Sequence, residues 1–369
     1  MTLFNTRVSS YQMNYFMREN VNSATMKLQE ATKELGTGRH ANLFEELGAR
    51  TASTLQMRVT ETTTQSYVTS NEVLASKLES TLAATNNIRK TIDSVLQIAL
   101  LNKTRPTTGA EAIQAEARSA IESMVGSLNQ SFNGDHLFAG VKSRAAPMTR
   151  WEDTNATTGH SPQAVLNSIV GAGPPDAATA ATMITSIKEV FDSSYTIDPT
   201  MNYEATFFGG TPLLDGGGVA NPRVTGRLDP DQELQYGVQA NDEPMREAMR
   251  GLSMLATIDV SKITDEATYQ AWMDEAVNTL ASAAEGVLKM ATDVGFQQQV
   301  VETANTRLKD VSVIQQLQIA RLENVDTYEV AAKISSLEAQ LNASYSVTAR
   351  LGQLSMLNYM RKESLAARA

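Results

Sequence analysis

The sequence has no cysteine, which excludes disulfides, thiolate metal sites and cysteine nucleophiles together. Aromatic residues are scarce, 6% of 369 residues against 42% apolar overall, a balance that suits slender paired helices better than a thick enzyme core. Positive charge is also short, with 31 Lys and Arg against 41 Asp and Glu and a net charge of -10. A duplex nucleic acid or an anionic membrane surface is therefore not an expected partner. No run approaches 18 unbroken apolar residues, so membrane insertion is not expected. The opening MTLFNTRVSSYQMNYFMREN has no basic region followed by a continuous apolar core, so a cleaved secretory signal peptide is not expected either.

Proline is absent from long stretches of both ends. Eight of the ten prolines, with the runs GAGPP and DGGG, lie between Arg144 and Asn241, so the middle is a different kind of structure from its flanks. On the N-terminal side, Val21, Ala24, Leu28, Ala31 and Leu35 repeat at coiled-coil spacing until GTGR, Gly36 to Arg39, interrupts them. From about Leu55 to Leu101 no Gly or Pro occurs, and Ile88, Ile92, Val95 and Ala99 continue the pattern in a helix roughly 70 Å long. Pro106 stops it, and a Thr108/Glu111 capping box starts another helix through about Phe132.

The far end mirrors this. Asn241, Asp242 and Pro244 open a helix to about Ile258, and Thr264 to Glu266 open a second. Asp326 and Glu329 mark a capped break, followed by Val330, Ile334, Leu337 and Leu341 at helical spacing. In the middle, Ile184, Ile187, Val190 and Phe191 predict a helix, while Tyr203, Ala205, Phe207 and Leu234, Tyr236, Val238, Ala240 alternate as strands do. The expected architecture is mainly α: a long helical rod and coiled coil built from both termini, with a small inserted α+β domain. The expected segments are 1–42 and 326–369 for the terminal coiled coil, 43–143 and 241–325 for the rod, and 144–240 for the insert.

No set of chemistry-bearing residues converges in the sequence. His40, His136 and His160 each stand without the nearby second ligand a metal site requires. Gly209-Gly210 and Gly216 to Gly218 belong to no phosphate-binding motif and read as turns. No GxSxG or HExxH occurs, and the carboxylates are scattered over helix faces. The N-x-[ST] sequons at Asn129, Asn155 and Asn342 carry no weight at this frequency. No catalytic residue, cofactor or metal is expected.

The apolar stripes remain. Near the C-terminus, SYSVTARLGQLSMLNYM places Val347, Leu351, Leu354 and Leu357 on one helical face, with Met356, Tyr359 and Met360 beside it. A two-helix pair made from the two termini leaves part of this surface uncovered, so the terminal helices are expected to be marginal alone. The expected interface for assembly or a chaperone is Val21, Leu28, Leu35, Ile334, Leu337, Leu341, Val347, Leu351, Leu354, Leu357 and Tyr359.

These residues carry a resemblance. ENVDTYEVAAKISSLEAQLNASYSVTARLGQLSMLNYM, Glu323 to Met360, is similar to the C-terminal segment of the flagellin superfamily. FNGDHLFAG, Phe132 to Gly140, and VQANDEPMREAMRGLSML, Val238 to Leu255, resemble the exit from and return into the rod in the hook-associated branch of that family. ELGTGRHANLFEELGART resembles the family's TGkR turn, but Phe44-Glu45-Glu46 replaces the usual Asp-Asp-Pro and points to an alphaproteobacterial branch. The resemblance implies a non-enzymatic flagellar protein outside the cell, exported unfolded by the type III route and assembled as a ring of copies between hook and filament. It implies contacts with the preceding hook-junction protein and with flagellin, and an export chaperone on the C-terminal helix. A filament-forming flagellin is the nearest alternative, and a cytoplasmic coiled-coil scaffold or an enzyme with its site in the insert is the next.

Overall fold

The computed structural model describes the backbone of residues 10–104 and 110–366, and side chains within them except at 10, 11, 14 and 351–366. The chain is mainly α, with long helices and a few very short strands. In order, the helices are α1 (Ser10–Thr37), α2 (Leu43–Leu47), α3 (Thr51–Leu101), α4 (Ala110–Leu128), α5 (Pro162–Val170), α6 (Ala177–Phe191), α7 (Glu243–Thr257), α8 (Glu266–Glu323) and α9 (Thr327–Ala366). Two hairpins complete the set, β1 (Ser131–Phe132) with β2 (Asp135–His136), and β3 (Thr225–Arg227) with β4 (Glu233–Gln235). The chain divides into two compact units, Met1–Thr63 with Asp310–Ala369, and Thr64–Lys309.

The Thr64–Lys309 unit holds the large core. The predicted stripe of Ile88, Ile92, Val95 and Ala99 on α3 is buried, and so are Ile113, Ala117 and Ile121 on α4. Helix α4 packs on α7, where Met245, Ala248, Met249 and Leu252 recur at three- and four-residue spacing and are all buried. Gly251 marks a close approach: a Cβ there would lie 2.7 Å from Leu280 Cγ on α8. Asn102 closes α3, its side-chain amide donating to the Ile98 carbonyl at 3.0 Å, while its own carbonyl accepts the Tyr269 hydroxyl. Asp265 caps α8 by accepting the Thr268 N–H at 2.9 Å. Pro106 and Thr108, the predicted stop and cap, lie outside the described residues.

Three expectations need correction. Helix α4 ends at Leu128, short of Phe132, because Asn133-Gly134 forms a turn with φ of 51° and 87° that pairs Phe132 with Asp135. Tyr203 to Phe207 is a π-helical turn, not a strand. Its buried residues are Tyr203, Thr206 and Phe207, three and four apart, so the alternation of apolar letters there misleads. The strand expected from Leu234 to Ala240 is only β4, Glu233–Gln235.

The insert is nonetheless well packed. Phe191, Tyr203 and Phe207 cluster with ring centroids 5.2 to 5.6 Å apart. The Tyr203 hydroxyl donates to the Ala240 carbonyl at 2.8 Å, and burial raises its pKa above the ordinary tyrosine value. Arg246 on α7 gathers the Asn241 and Phe191 carbonyls at 3.0 and 2.8 Å. The turn between β3 and β4 is fixed to the long helices: Asn71 donates to the Leu228 carbonyl at 3.0 Å, and Arg307 pairs with Asp229.

Candidate assembly surface

The Met1–Thr63/Asp310–Ala369 unit is built differently. Helices α1 and α9 pack on each other, and they run antiparallel: Arg39 pairs with Asn324 near one end, and the Thr348 hydroxyl approaches Met17 Sδ toward the other. The seam joins Ala24 and Ala31 of α1 to Val330, Leu337 and Leu341 of α9, all buried. Small residues on one helix let long ones on the other fill the groove.

Of the expected interface residues, Leu337 and Leu341 are buried, and Val21, Leu28 and Ile334 are half-buried. Leu35 and Val347 are exposed, at 41% and 45%. Leu35 therefore does not extend the seam as its heptad position predicts. Beside it Glu34 turns in to accept the Ala41 N–H at 3.0 Å as the chain leaves the helix. Leu351, Leu354, Leu357 and Tyr359 lie on α9 where side chains are outside the described residues.

A second set of side chains was not anticipated from periodicity. Leu55 and Val59 on α3, and Val313, Ile314 and Leu317 on α8, are large apolar residues at 48% to 60% exposure. Tyr15, Phe16 and Met26 on α1, Phe44 on α2, and Tyr328 on α9 are also exposed. A signal existed: between Asp310 and Arg321 no residue is charged, unusual for a helix face left to water.

The chain breaks at the ends of α1 and α8 are joined. His40 N–H donates to the Glu323 carbonyl at 2.9 Å, and Val325 N–H donates to the Gly38 carbonyl at 3.1 Å. Asp326 caps α9 by accepting the Tyr328 N–H at 2.8 Å, as the sequence predicts for that break. The Glu323 carboxylate is 1% exposed and receives Arg58 in a two-pronged pair at 2.5 and 2.6 Å, with Arg39 3.8 Å away. The hydrogen bond to Glu323 raises the Arg58 pKa above its usual value. An open cavity of about 530 Å³ lies beside this pair, lined by Arg39, Arg58, Glu61, Gln316, Ile319 and Glu323 among others.

Among the described residues no group of three His, Asp or Glu could hold a metal ion. His136 Nδ1 lies 2.7 Å from the Asn129 carbonyl, while His40 and His160 sit 3.8 and 3.9 Å from Glu34 and Asp198. Among the described residues no helix is long and apolar enough to cross a membrane.

Comparison with known proteins gives a consistent picture. The bacterial flagellin N-terminal helical region matches residues 8–143, and the bacterial flagellin C-terminal helical region matches residues 277–360. Together they span more than half of the chain. No curated protein matches it in sequence. A solved structure described as a flagellar hook-associated protein from Vibrio parahaemolyticus is similar in fold, with a TM-score of 0.50 and 11% identity, covering 75% of this chain and 99% of that one. With both terminal regions matched and the paired terminal helices in place, the chain belongs to the flagellin superfamily and is a structural protein of the bacterial flagellum.

Proposed function

We propose that this protein forms the junction between hook and filament, as a ring of copies packed through their terminal helices. The observation that carries the reading is the crowding of exposed large apolar side chains into the Met1–Thr63/Asp310–Ala369 unit, with Tyr15, Phe16 and Met26 on α1, Tyr328 on α9, and Leu55, Val59, Ile314 and Leu317 on α3 and α8. Large apolar side chains left exposed in such number mark a protein contact. The neighbours are other copies of the chain, the preceding hook-junction protein on one side and flagellin on the other. An export chaperone covers the C-terminal part of α9 before assembly, by helix packing. Export proceeds by the type III route, and the source is an alphaproteobacterial branch of the family.

FNGDHLFAG, Phe132 to Gly140, favours the junction over the filament. Its first half forms the β1–β2 hairpin, and Leu137 and Phe138 turn into the core directly after it. Gene deletion and polymerisation of the purified chain test the assignment. Loss of filaments on deletion, with filament subunits shed into the medium and no long fibres from the pure protein, is the expected result. Long fibres from the pure chain, together with filaments retained by the deletion strain, would replace the junction with the filament reading.

A further inference from the structure

We propose that Glu323 is a positioning residue, the carboxylate that sets α1 and α9 on the ends of α3 and α8. It sits at the last residue of a 58-residue helix, the end at which the helix dipole disfavours a negative charge. It is also 1% exposed, so neither helix electrostatics nor solvation accounts for it there. Its partner is 265 residues away: Arg58 Nε and Nη2 donate to its two oxygens at 2.5 and 2.6 Å. Arg39, in the turn that follows α1, stands 3.8 Å from Oε2. One side chain thus ties together the end of α8, the start of α3 and the turn leaving α1.

The two chain breaks share the backbone hydrogen bonds from His40 and Val325. Polar Thr54 and Ser312 are buried on α3 and α8, Val330 is buried on α9, and Ile319, Leu322 and Val325 are half-buried, with Glu61 accepting from Gln316 at 2.8 Å. Apolar packing is indifferent to direction, so these side chains do not by themselves fix how the helices approach. A two-pronged Arg–carboxylate pair does specify direction, because its donors and the carboxylate must share a plane. The joint therefore sets the terminal pair against the ends of α3 and α8 that lie in the same unit. That placement determines how α1 and α9 meet neighbouring copies, a consequence that rests on the proposed assembly.

Amide hydrogen exchange on the free, full-length chain tests the placement without requiring assembly. E323Q retains the side chain's shape and removes its charge. Amides of residues 38–40, 324–326, α1 and α9 should exchange about tenfold faster, while those of α4 and α7 remain unchanged. R58Q leaves the buried carboxylate with only the more distant Arg39, 3.8 Å away, and should raise exchange further. The double variant E323Q/R58Q should be less affected than R58Q alone, since no buried charge is stranded. Unchanged exchange in E323Q overturns the proposal. So does an equal rise in α4 and α7, or a double variant worse than R58Q.

Discussion

Helix α8 passes through two kinds of surroundings. In its first half Trp272, Met273, Ala276, Leu280 and Val287 are buried, and the chain itself supplies everything that covers them. From Asp310 onward the same helix leaves Val313, Ile314 and Leu317 exposed and buries the polar Ser312 and Glu323. The difference extends to the whole of each unit. Among the described residues, the apolar side chains buried in the Met1–Thr63/Asp310–Ala369 unit are Ala24, Ala31, Val330, Leu337 and Leu341, whereas both tryptophans and the Phe191–Tyr203–Phe207 cluster lie in Thr64–Lys309. One unit completes its own core, and the other presents apolar surface that another molecule can complete.

Substitutions at these two kinds of site should separate accordingly. Trp272→Ala, at a fully buried site whose indole N–H donates to the Met254 carbonyl at 3.3 Å, should cost about 3 to 5 kcal/mol in urea unfolding. A cost as small as that of a surface change would remove the distinction between the units. Gly251→Ala, which forces a methyl against Leu280, should cost about 1 to 3 kcal/mol by the same measurement. Leu337→Ala lies in a seam only two helices thick, so its cost should stay below about 2 kcal/mol. It should appear as faster exchange in α1 and α9 without a shift in the melting of the larger unit.

Ile314→Asp combined with Leu317→Asp should alter the stability of the free chain by no more than about 0.5 kcal/mol. The same variant should abolish self-association or flagellar incorporation. A collapse of the fold instead would place these residues in an ordinary core.

The smallest effect concerns acid. The Thr268 hydroxyl, and then its backbone N–H, hold the Asp265 carboxyl below its ordinary value of 3.8. A carboxylate depressed in the folded state contributes stability above pH 3.8, and that contribution fades as pH falls through the folded-state pKa. Melting followed between pH 5 and 2 should therefore show a slightly shallower acid decline for Asp265→Asn than for the native chain.

Much of this organisation is legible from local pattern. Proline placement separated the insert from its flanks, and Asp326 announced the break that Tyr328 N–H completes. The α3 stripe and most of the terminal seam followed helical spacing because a helix has one face for each period. Where local pattern failed, a competing local force had acted. Asn133-Gly134 ended α4 early by favouring a hairpin turn, and the letters of Tyr203 to Phe207 fitted two periods when only burial could choose between them. Leu35 held a seam position in a helix about to end, and it stays 41% exposed.

Sequence alone determined the helical seams, the break at Asp326, the middle insert and the absence of thiol chemistry, because each depends on residues close together or on composition. Tertiary structure decided that Glu323 meets Arg58 and that Ile314 and Leu317 face outward. Those outcomes depend on which helix faces oppose each other after residues hundreds of positions apart have come together, and no local period encodes that.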